Sequence, residues 1–372
     1  MANPYELDKA DHDRRYARIA NKYLVAETQE NPRAIIIGGQ PGSGKGTLTT
    51  IAARELQKEG GFVLVDVDKL RSRHPDNNQL MRENDRAAAN LTHNDASKWA
   101  KRLTNDAIEG RKNLIIDQTS KSPDSLIART KQLKEAGYTV ELRVMAVNAE
   151  TSEQRIHTRY EREKAADGAG RFTPKQVHDA AYVGIPESVS AVEREKTVDA
   201  ISIYDKQQTR IYENTLHNGE WVLQPPGARA ALDNERNRAL TLQDHIEKAN
   251  AYTELSAMLA KRDAQPQERE EIEAQRLKAT RRVTAETFRQ VAPEVALKSN
   301  PELAGAYAAV AAMVEKARQD GLNAEQRKMI ELRAKHNVAS SIEQGKIPQV
   351  QMRESVESVK PGQERSDPDQ ER

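Results

Sequence analysis

Residues 34–47 read AIIIGGQPGSGKGT, an apolar run that passes into a glycine-rich loop ending in Gly-Lys-Gly-Thr. The segment from Gly39 to Lys45 fits the phosphate-binding loop pattern, in which a glycine and four further residues precede Gly-Lys. The β-branched run predicts a buried strand, and residues 48–59 can continue as a helix. We therefore predict a loop whose backbone N–H groups, with the following helix N-terminus, bind nucleotide phosphates.

The residues of this loop have distinct expected roles. Lys45 supplies a point charge for the outer phosphates. Gly46 stands where a hydroxyl residue that binds Mg²⁺ is expected, so we assign the metal contact to Thr47. A simple turn between strand and helix is the alternative, but the spacing, the lysine and both flanks disfavour it. The predicted nucleotide-binding residues are Gly39, Gln40, Pro41, Gly42, Ser43, Gly44, Lys45, Gly46 and Thr47.

The composition disfavours several other classes of protein. The 372 residues are enough for two domains, and the net charge of +1 gives no global attraction to nucleic acid. The chain has no cysteine, which excludes disulfides, thiolate metal sites and cysteine catalysis. The first residues do not resemble a signal peptide, and no apolar run approaches the roughly 20 residues that span a bilayer. We expect a cytoplasmic protein with no nucleic-acid or membrane partner.

Strand and helix patterns alternate after the loop. Apolar runs predict further strands at 62–68, 114–117 and 140–147, with helical patterns between them. This alternation predicts an α/β fold of the P-loop kinase type, with a parallel sheet flanked by helices. Ligands bind such sheets at the carboxyl ends of the strands, which is where the aspartates of the second and third strands are expected.

The rest of the chain divides by composition. We predict a kinase domain over 1–225, a linker over 226–235 at a Pro-Pro-Gly run, and an α-helical region of unknown role over 236–345. The tail 346–372 is rich in Pro, Gln, Glu, Arg and Asp, so it cannot bury apolar area. We predict that this tail is disordered.

Two aspartates are candidates for acid–base chemistry. Phosphoryl transfer needs a group that relieves the acceptor hydroxyl of its proton. Asp66 and Asp68 lie at the predicted end of the second strand, on one face by its period of two. The alternative is that these aspartates cap the next helix.

Arginines after the fourth strand offer positive charge for a transferring phosphoryl group. Arg155, Arg159 and Arg162 recur on one face of a predicted helix, and Arg171 follows a glycine-rich break. Such a helix and loop suit a lid that closes over phosphates. For Arg155 and Arg162 we favour a solvated charged face, whereas for Arg159 and Arg171 the spacing leaves both interpretations open.

The ordered set of motifs resembles the zeta toxin family from about residue 30 to about residue 220. The resemblance implies a kinase that uses ATP or GTP with Mg²⁺ to phosphorylate UDP-N-acetylglucosamine or a related UDP-amino sugar, which depletes a cell-wall precursor. It also implies a small helical epsilon-type antitoxin that obstructs the nucleotide site. The motifs are the phosphate loop, Asp66-x-Asp68 with His74-Pro75, Asp117-x-Thr119, Arg159-Tyr160-Glu161 and Arg171-x-Thr173-Pro174.

The resemblance also implies roles for single residues. Lys45 holds the β- and γ-phosphates, Asp68 is the base, and Arg159 and Arg171 stabilise the transferring phosphoryl group. Asp117 stands where the family typically has a glutamate, which shortens its reach toward the sugar by one methylene. The implied substrate contacts are Asp68, Asp117, Thr119 and Lys121.

Two other functions compete with a toxin kinase. The same core suits a housekeeping metabolite or nucleotide kinase, or an antibiotic phosphotransferase. A third interpretation is a module that binds nucleotide without turnover and uses its helical C-terminal half as the functional surface. The combination of an aspartate with two arginines favours turnover, because a pure binding switch needs no such set.

Overall fold

A computed structural model describes residues 3–349 of the chain. Within them, one seven-stranded sheet has the strand order β2–β3–β1–β4–β5–β6–β7, with the strands numbered along the chain. Their bounds are β1 Arg33–Gly38, β2 Val63–Asp66, β3 Leu114–Asp117, β4 Thr139–Met145, β5 Ala200–Tyr204, β6 Arg210–His217 and β7 Glu220–Trp221. The first five are parallel, and β6 and β7 each pair antiparallel with the strand before. The predicted parallel sheet is confirmed.

Helices connect the strands and continue after them, as an α/β fold requires. The first ten in chain order are α1 Lys9–Tyr23, α2 Lys45–Gln57, α3 Val67–Arg71, α4 Asn77–Glu109, α5 Pro123–Glu135, α6 Ala149–Asp167, α7 Lys175–Glu195, α8 Ala228–Arg236, α9 Leu242–Lys261 and α10 Pro266–Gln290. None of the helices in residues 3–349 has the length and apolar character needed to cross a membrane.

Strand β1 shows that the sheet is covered on both faces. Successive side chains of a strand point to opposite faces. Ile35 and Ile37 accordingly lie in one apolar cluster with Leu48 of α2. Ile36 lies in another cluster with Trp99 of α4. This double covering explains why the strand is apolar from Ala34 to Ile37, because both faces of a parallel sheet are buried.

A second compact unit begins at Thr280, inside α10. It also contains α11 (Pro293–Ser299), α12 (Ala304–Gln319) and α13 (Ala324–Glu343), with a 3₁₀ turn before α12. Its own core is formed by Ala285, Phe288, Ala296, Leu303, Ala306, Val310, Ala334, Val338, Ala339 and Ile342. The predicted helical extension is confirmed. Of the predicted tail, residues 346–349 belong to no helix or strand, and residues 350–372 lie outside the described residues.

The predicted strand 62–68 ends earlier than its alternating pattern indicates. Strand β2 stops at Asp66, whose carboxylate accepts hydrogen bonds from the N–H groups of Asp68 and Lys69 at 2.9 and 3.2 Å. These bonds cap helix α3, which starts at Val67. Asp66 and Asp68 therefore do not share a strand face, and the capping alternative holds for Asp66.

The structure has a helix where the linker 226–235 was predicted. Helix α8 begins at Ala228, and both Ala228 and Leu232 are fully buried in the core on one face of the sheet. The first compact unit continues to Ala279, far beyond the predicted boundary at residue 225. The Pro-Pro-Gly run marks a bend within this unit because the helix that follows it returns to the sheet.

Candidate functional site

The phosphate-binding loop joins β1 to α2 in a conformation that requires glycine. Gly42 and Gly44 have φ angles of 77° and 95°, in the left-handed region that glycine adopts without strain. A Cβ atom at Gly42 would lie 2.0 Å from the carbonyl oxygen of Ser152, so no side chain fits there. The loop thus passes close to α6 before it reaches the N-terminus of α2, where N–H groups and the helix dipole favour anions.

Gln40 is fully buried and supports the loop from inside the protein. Its amide nitrogen donates to the carbonyl oxygen of Val147 at 2.8 Å and lies 3.1 Å from the hydroxyl of Ser152. Its amide oxygen accepts a hydrogen bond of 2.9 Å from Arg236 of α8. The side-chain amide of Gln40 is therefore fully hydrogen-bonded within the protein. Of this predicted nucleotide-binding residue, only the backbone is available to contact a nucleotide.

Arg236 is the partner of Gln40 that the sequence analysis missed. It follows Gln40 by 196 positions and carries no motif. Its side chain is only 2% exposed, donates to the carbonyl oxygen of Tyr182 at 2.7 Å and lies over the Tyr182 ring. Burial lowers the pKa of Arg236 to about 10, so the guanidinium is still charged at neutral pH. Helix α8 therefore places a buried positive charge behind the phosphate loop.

Lys45 lies among the three aspartates that the sequence predicts at the strand ends. It is half-buried, and its Nζ lies 3.4 Å from the carbonyl oxygen of Gln40. Burial lowers the pKa of Lys45, against the opposing effect of the carboxylates of Asp117, Asp68 and Asp66. Burial, followed by the carboxylates of Asp117 and Asp68, raises the pKa of Asp66. The structure thus brings the lysine and the three carboxylates into one electrostatic environment.

Asp117 ends β3 and lies beside Asp66 in the ladder with β2. Its Oδ2 accepts a hydrogen bond of 2.8 Å from the hydroxyl of Thr49 on α2. Thr49 lies one helical turn after Lys45 and belongs to none of the motifs in the sequence. This hydrogen bond ties the end of β3 to the helix that follows the phosphate loop.

Thr119 and Lys121, the other implied sugar contacts, lie in the loop from β3 to α5. Thr119 is half-buried and Lys121 is exposed. The carbonyl oxygen of Lys121 lies 2.1 Å from the position that a Cβ would take at Gly184, so the loop packs closely on α7. Neither residue lines the pocket around Asp68, and their contact with a sugar stays a prediction.

A pocket between α3, α4 and the α6–α7 loop brings together three of the predicted catalytic residues, Asp68, Arg159 and Arg171. Arg159 is half-buried and donates to the hydroxyl of Thr173 at 3.0 Å. Burial lowers the pKa of Arg159, and the neighbouring Arg171 lowers it further. The pocket is lined by Asp68, Arg71, Ser72, Asn77, Met81, Asp85, Ala89, Arg159, Arg171, Phe172 and Thr173.

The pocket distinguishes the two candidate bases. Asp68 lines it with a side chain that is 44% exposed and forms an ion pair with Arg71. Asp66 does not line it, because its carboxylate is directed to the backbone N–H groups at the start of α3. The geometry favours Asp68 as the group that meets an acceptor.

Arg171 is held by Glu163 of α6. Its backbone N–H and its Nε donate to the Glu163 carboxylate at 2.8 and 2.9 Å. The Arg171 side chain nevertheless remains 53% exposed. The hydrogen bonds to Glu163 raise the pKa of Arg171, and the carboxylates of Asp68 and Asp66 contribute in the same direction. Arg171 is therefore placed beside the aspartates with its charge paired at the surface.

The two arginines for which we favoured a solvated face differ in the structure. Arg162 is exposed and pairs with Glu254 of α9 at 2.8 Å, as expected. Arg155 is half-buried, and one of its guanidinium nitrogens lies 3.7 Å from the position of a Cβ at Gly44. The structure therefore places Arg155 against the phosphate loop. The prediction that its side chain lies on a solvated face is wrong.

Thr47, the predicted metal contact, lies exposed on the first turn of α2. Its backbone N–H donates to the carbonyl oxygen of Gly44 at 3.1 Å. In the part of the chain that the structure describes, no three histidine, aspartate or glutamate residues form a group that could hold a metal ion. The assignment of the metal to Thr47 stays a prediction.

Comparisons with known proteins identify relatives of the first unit. The family model described as Zeta toxin matches residues 17–217. The toxin PezT of Streptococcus pneumoniae serotype 4 is 30% identical over 189 residues, which make up 50% of this chain and 74% of that toxin. The toxin zeta of Enterococcus hirae is 26% identical over 215 residues, 57% of this chain and 72% of that protein.

A solved structure shows the same fold. It comes from the characterisation of the PezAT chromosomal toxin–antitoxin system of Streptococcus pneumoniae. The two structures superpose with a TM-score of 0.60 at 23% identity, over 70% of this chain and 100% of the other. At this identity the match establishes the fold alone.

Proposed function

The chain belongs to the zeta toxin family, and we propose that it transfers the γ-phosphoryl group of ATP or GTP to a sugar hydroxyl of UDP-N-acetylglucosamine or a related UDP-amino sugar. The observation that carries this proposal is the pocket in which Asp68, Arg159 and Arg171 meet, in the electrostatic environment of Lys45. A base, a phosphate-binding lysine and arginines for the transferring group are the parts that phosphoryl transfer needs.

The donor phosphates fit the loop between β1 and α2, with Lys45 beside the outer phosphates. Mg²⁺ fits the same place, because the carboxylate of Asp117 ends β3 beside the loop, hydrogen-bonded to Thr49 of α2, and offers an oxygen ligand of the kind that this cation prefers. Mg²⁺ needs only one or two carboxylates when phosphates supply further oxygens. Asp117 and the predicted contact Thr47 would hold it, and it would neutralise phosphate charge.

Asp68 acts on the acceptor in this proposal. As the acceptor oxygen bonds to the γ-phosphorus and the bond to the β-phosphate oxygen breaks, Asp68 takes the proton of the acceptor hydroxyl. Its exposed side chain and its ion pair with Arg71 suit this role, because the pair orients the carboxylate within the pocket. General bases of this kind contribute typically ~10²–10⁴-fold.

Arg159 and Arg171 stabilise the transferring group. The planar guanidinium donates to two phosphoryl oxygens at once, and its charge offsets the charge that spreads over them. For Arg171 this requires an exchange of partners, from the Glu163 carboxylate to the phosphoryl group. The exchange costs little because the ion pair is solvent-exposed, and such pairs are worth ~0–1 kcal/mol.

The pocket suits an acceptor that carries negative charge. Three arginines line it, Arg71, Arg159 and Arg171, against the two carboxylates of Asp68 and Asp85. A UDP sugar brings a diphosphate that this surface attracts. Asp117, Thr119 and Lys121 remain our proposed contacts for the sugar itself.

We extend the proposal to a partner. The relatives described above are named toxins, and the solved relative comes from a toxin–antitoxin system. A small helical antitoxin of the epsilon type would neutralise this protein by covering the nucleotide site in the cytoplasm.

A direct assay tests the proposed reaction. The purified chain is incubated with Mg²⁺, ATP or GTP and UDP-N-acetylglucosamine, and the products are identified by mass spectrometry and ³¹P NMR. We expect a UDP sugar with one additional phosphate on the sugar, and no such product from Lys45→Ala.

The same assay decides between the competing functions. Product from a nucleoside or an aminoglycoside but not from UDP sugars would indicate a different kinase. Nucleotide binding without any product from the panel would indicate a binding module. Growth arrest after induction in a bacterial host, absent for Lys45→Ala, is expected only for the toxin.

A further inference from the structure

Helix α4 is interrupted beside the pocket. Asn84 has φ −156° and ψ 84°, which are not helical, although the helix continues on both sides. The side chain of Asn84 accepts a hydrogen bond of 3.2 Å from the N–H of Ala87, so it restarts the helix as an N-cap does. The interruption divides α4 into a short segment that carries Asn77 and Met81 of the pocket lining and a long segment that starts with Asp85 and Ala89 of the lining and continues against the sheet.

Asp85 follows this interruption and turns its carboxylate away from its own helix. The Asp85 carboxylate accepts hydrogen bonds from the hydroxyl of Tyr160 at 3.0 Å, from Nζ of Lys164 at 3.0 Å and from the backbone N–H of Gly170 at 3.1 Å. Asp85 is 8% exposed. Burial alone would raise the pKa of Asp85, but the Gly170 N–H and the Lys164 ammonium outweigh it and lower the pKa. The carboxylate is thus a charged anchor with three partners outside α4.

All three partners belong to α6 and the loop that follows it. A Cβ at Gly170 would lie 2.3 Å from the carbonyl oxygen of Tyr160, so this loop folds tightly back on α6. The next residue along the chain is Arg171. Since the backbone N–H of Gly170 is fixed by Asp85, the starting point of the Arg171 side chain is fixed by α4.

We propose that Asp85 is a positioning residue that couples the acceptor side of the pocket to Arg171. Asp85 does not touch the transferred group in this arrangement. It holds the arginine-bearing loop against the start of the long segment of α4, where Asp85 and Ala89 line the pocket, so an acceptor that settles there also fixes the arginine. The inference rests on the proposed phosphoryl transfer and adds a residue that the family resemblance did not supply.

Asp85→Asn tests the coupling with little change in shape. The amide oxygen of asparagine still accepts hydrogen bonds. The negative charge is lost, however, and with it the attraction to Lys164 and the extra strength of the hydrogen bond from Gly170. Hydrogen bonds to charged groups are the strong ones, so we expect kcat for UDP-N-acetylglucosamine phosphorylation to fall roughly 10- to 100-fold. The dissociation constant for ATP should change less than about twofold, because no partner of Asp85 lies in the phosphate loop.

A double-mutant cycle separates positioning from general loss of structure. If Asp85 acts through Arg171, then adding Asp85→Asn to the Arg171→Ala protein should lower kcat by at most about two- to threefold more. Full additivity of the two changes in kcat would overturn the proposal. Asp95→Asn is the matched control, since Asp95 is the other buried carboxylate on α4. Its partners, the N–H of Leu7 and the ring of His74 at 3.4 Å, do not line the pocket. It should lower the melting temperature at least as much as Asp85→Asn but leave kcat unchanged.

Hydrogen–deuterium exchange keeps the test independent of the reaction. We expect Asp85→Asn, and not Asp95→Asn, to accelerate amide exchange in residues 168–173. Unchanged exchange there would reject the anchor even if the kinase assay succeeds. Accelerated exchange in a protein that does not phosphorylate the UDP sugar would retain the anchor and reject the proposed substrate.

Discussion

The two sides of the proposed reaction site are built by different means. Behind the phosphate loop, Gln40 and Arg236 are at most 2% exposed and are joined by a direct hydrogen bond. On the arginine side, Arg171 and Glu163 meet in an ion pair whose side chains are 53% and 23% exposed. Breaking a buried hydrogen bond leaves an unsatisfied group that costs about 1–3 kcal/mol, whereas an exposed pair is worth ~0–1 kcal/mol. The donor side is therefore held rigidly before substrate arrives, and the arginine side is free to exchange partners.

Lys45→Ala should give the largest effect on the rigid side. It removes the charge that faces the phosphates while the strand and the loop glycines remain, so we expect no measurable phosphorylation and a nearly unchanged melting temperature. Turnover by purified protein and thermal unfolding measure the two. Normal turnover would remove Lys45 from the site.

On the adaptable side, Arg159→Ala and Arg171→Ala should lower kcat by roughly 10³–10⁵-fold, the range known for arginines that contact a transferring phosphoryl group. The nucleotide KM should change far less, because neither arginine is needed to hold the donor. Steady-state kinetics with both substrates varied measures the split. An increase in KM alone would mean that these arginines only bind substrate. It would contradict the proposed difference between the rigid donor side and the adaptable arginine side.

Asp68→Asn should lower kcat by ~10²–10⁴-fold with ATP binding retained, as expected for a general base. Asp66→Asn serves as its control at the same strand end, because Asp66 caps α3 and does not line the pocket. We expect a smaller loss of kcat for Asp66→Asn, accompanied by a lower melting temperature. Equal losses of kcat would undo the assignment of the base to Asp68.

Arg236→Met tests whether the buried network matters to the donor. It leaves the oxygens of Gln40 and Tyr182 without their donor, so we expect a loss of about 2–4 kcal/mol in the free energy of unfolding and roughly a tenfold rise in the ATP KM. Arg229→Met on the same helix breaks only surface pairs with Glu187 and Asp233 and should change neither. If the Arg236→Met protein is destabilised but its ATP KM is unchanged, the hydrogen bonds of Arg236 to Gln40 and Tyr182 stabilise the fold without affecting donor binding.

Arg155→Ala should have the smallest effect, a rise of about tenfold or less in the ATP KM with kcat retained. The guanidinium approaches the loop at Gly44, near enough to attract a phosphate but not the transferring group. Arg162→Ala on the same helix face is the control and should leave the ATP KM unchanged, since it breaks a surface pair with Glu254. Equal changes in the ATP KM for Arg155→Ala and Arg162→Ala would show that Arg155 has no contact with the donor phosphates.

The sequence predicts what is local in the chain. The phosphate loop, the apolar strands and the helices between them depend on neighbours in sequence, and so the α/β fold follows from pattern alone. The order Asp66-Val67-Asp68 shows the limit of such patterns, because the alternation of a strand and the N-cap of a helix use the same residue types. The hydrogen bonds that the backbone N–H groups of Asp68 and Lys69 donate to Asp66 decide between them.

What the sequence does not predict depends on contacts between distant residues. Arg236 meets Gln40 across 196 positions, and Asp85 meets Gly170 across 85. Neither residue belongs to a motif, and a charged residue in a helical pattern usually faces solvent. Their burial depends on how the helices that carry them pack in the fold, which the local sequence pattern does not specify.

The close approach of Gly42 to Ser152 has a genetic consequence. The Cβ of any other residue at position 42 would lie 2.0 Å from a backbone oxygen. Every missense codon at 42 therefore damages the loop, whatever amino acid it encodes. Selection for escape from the proposed toxicity would therefore enrich missense changes at codon 42.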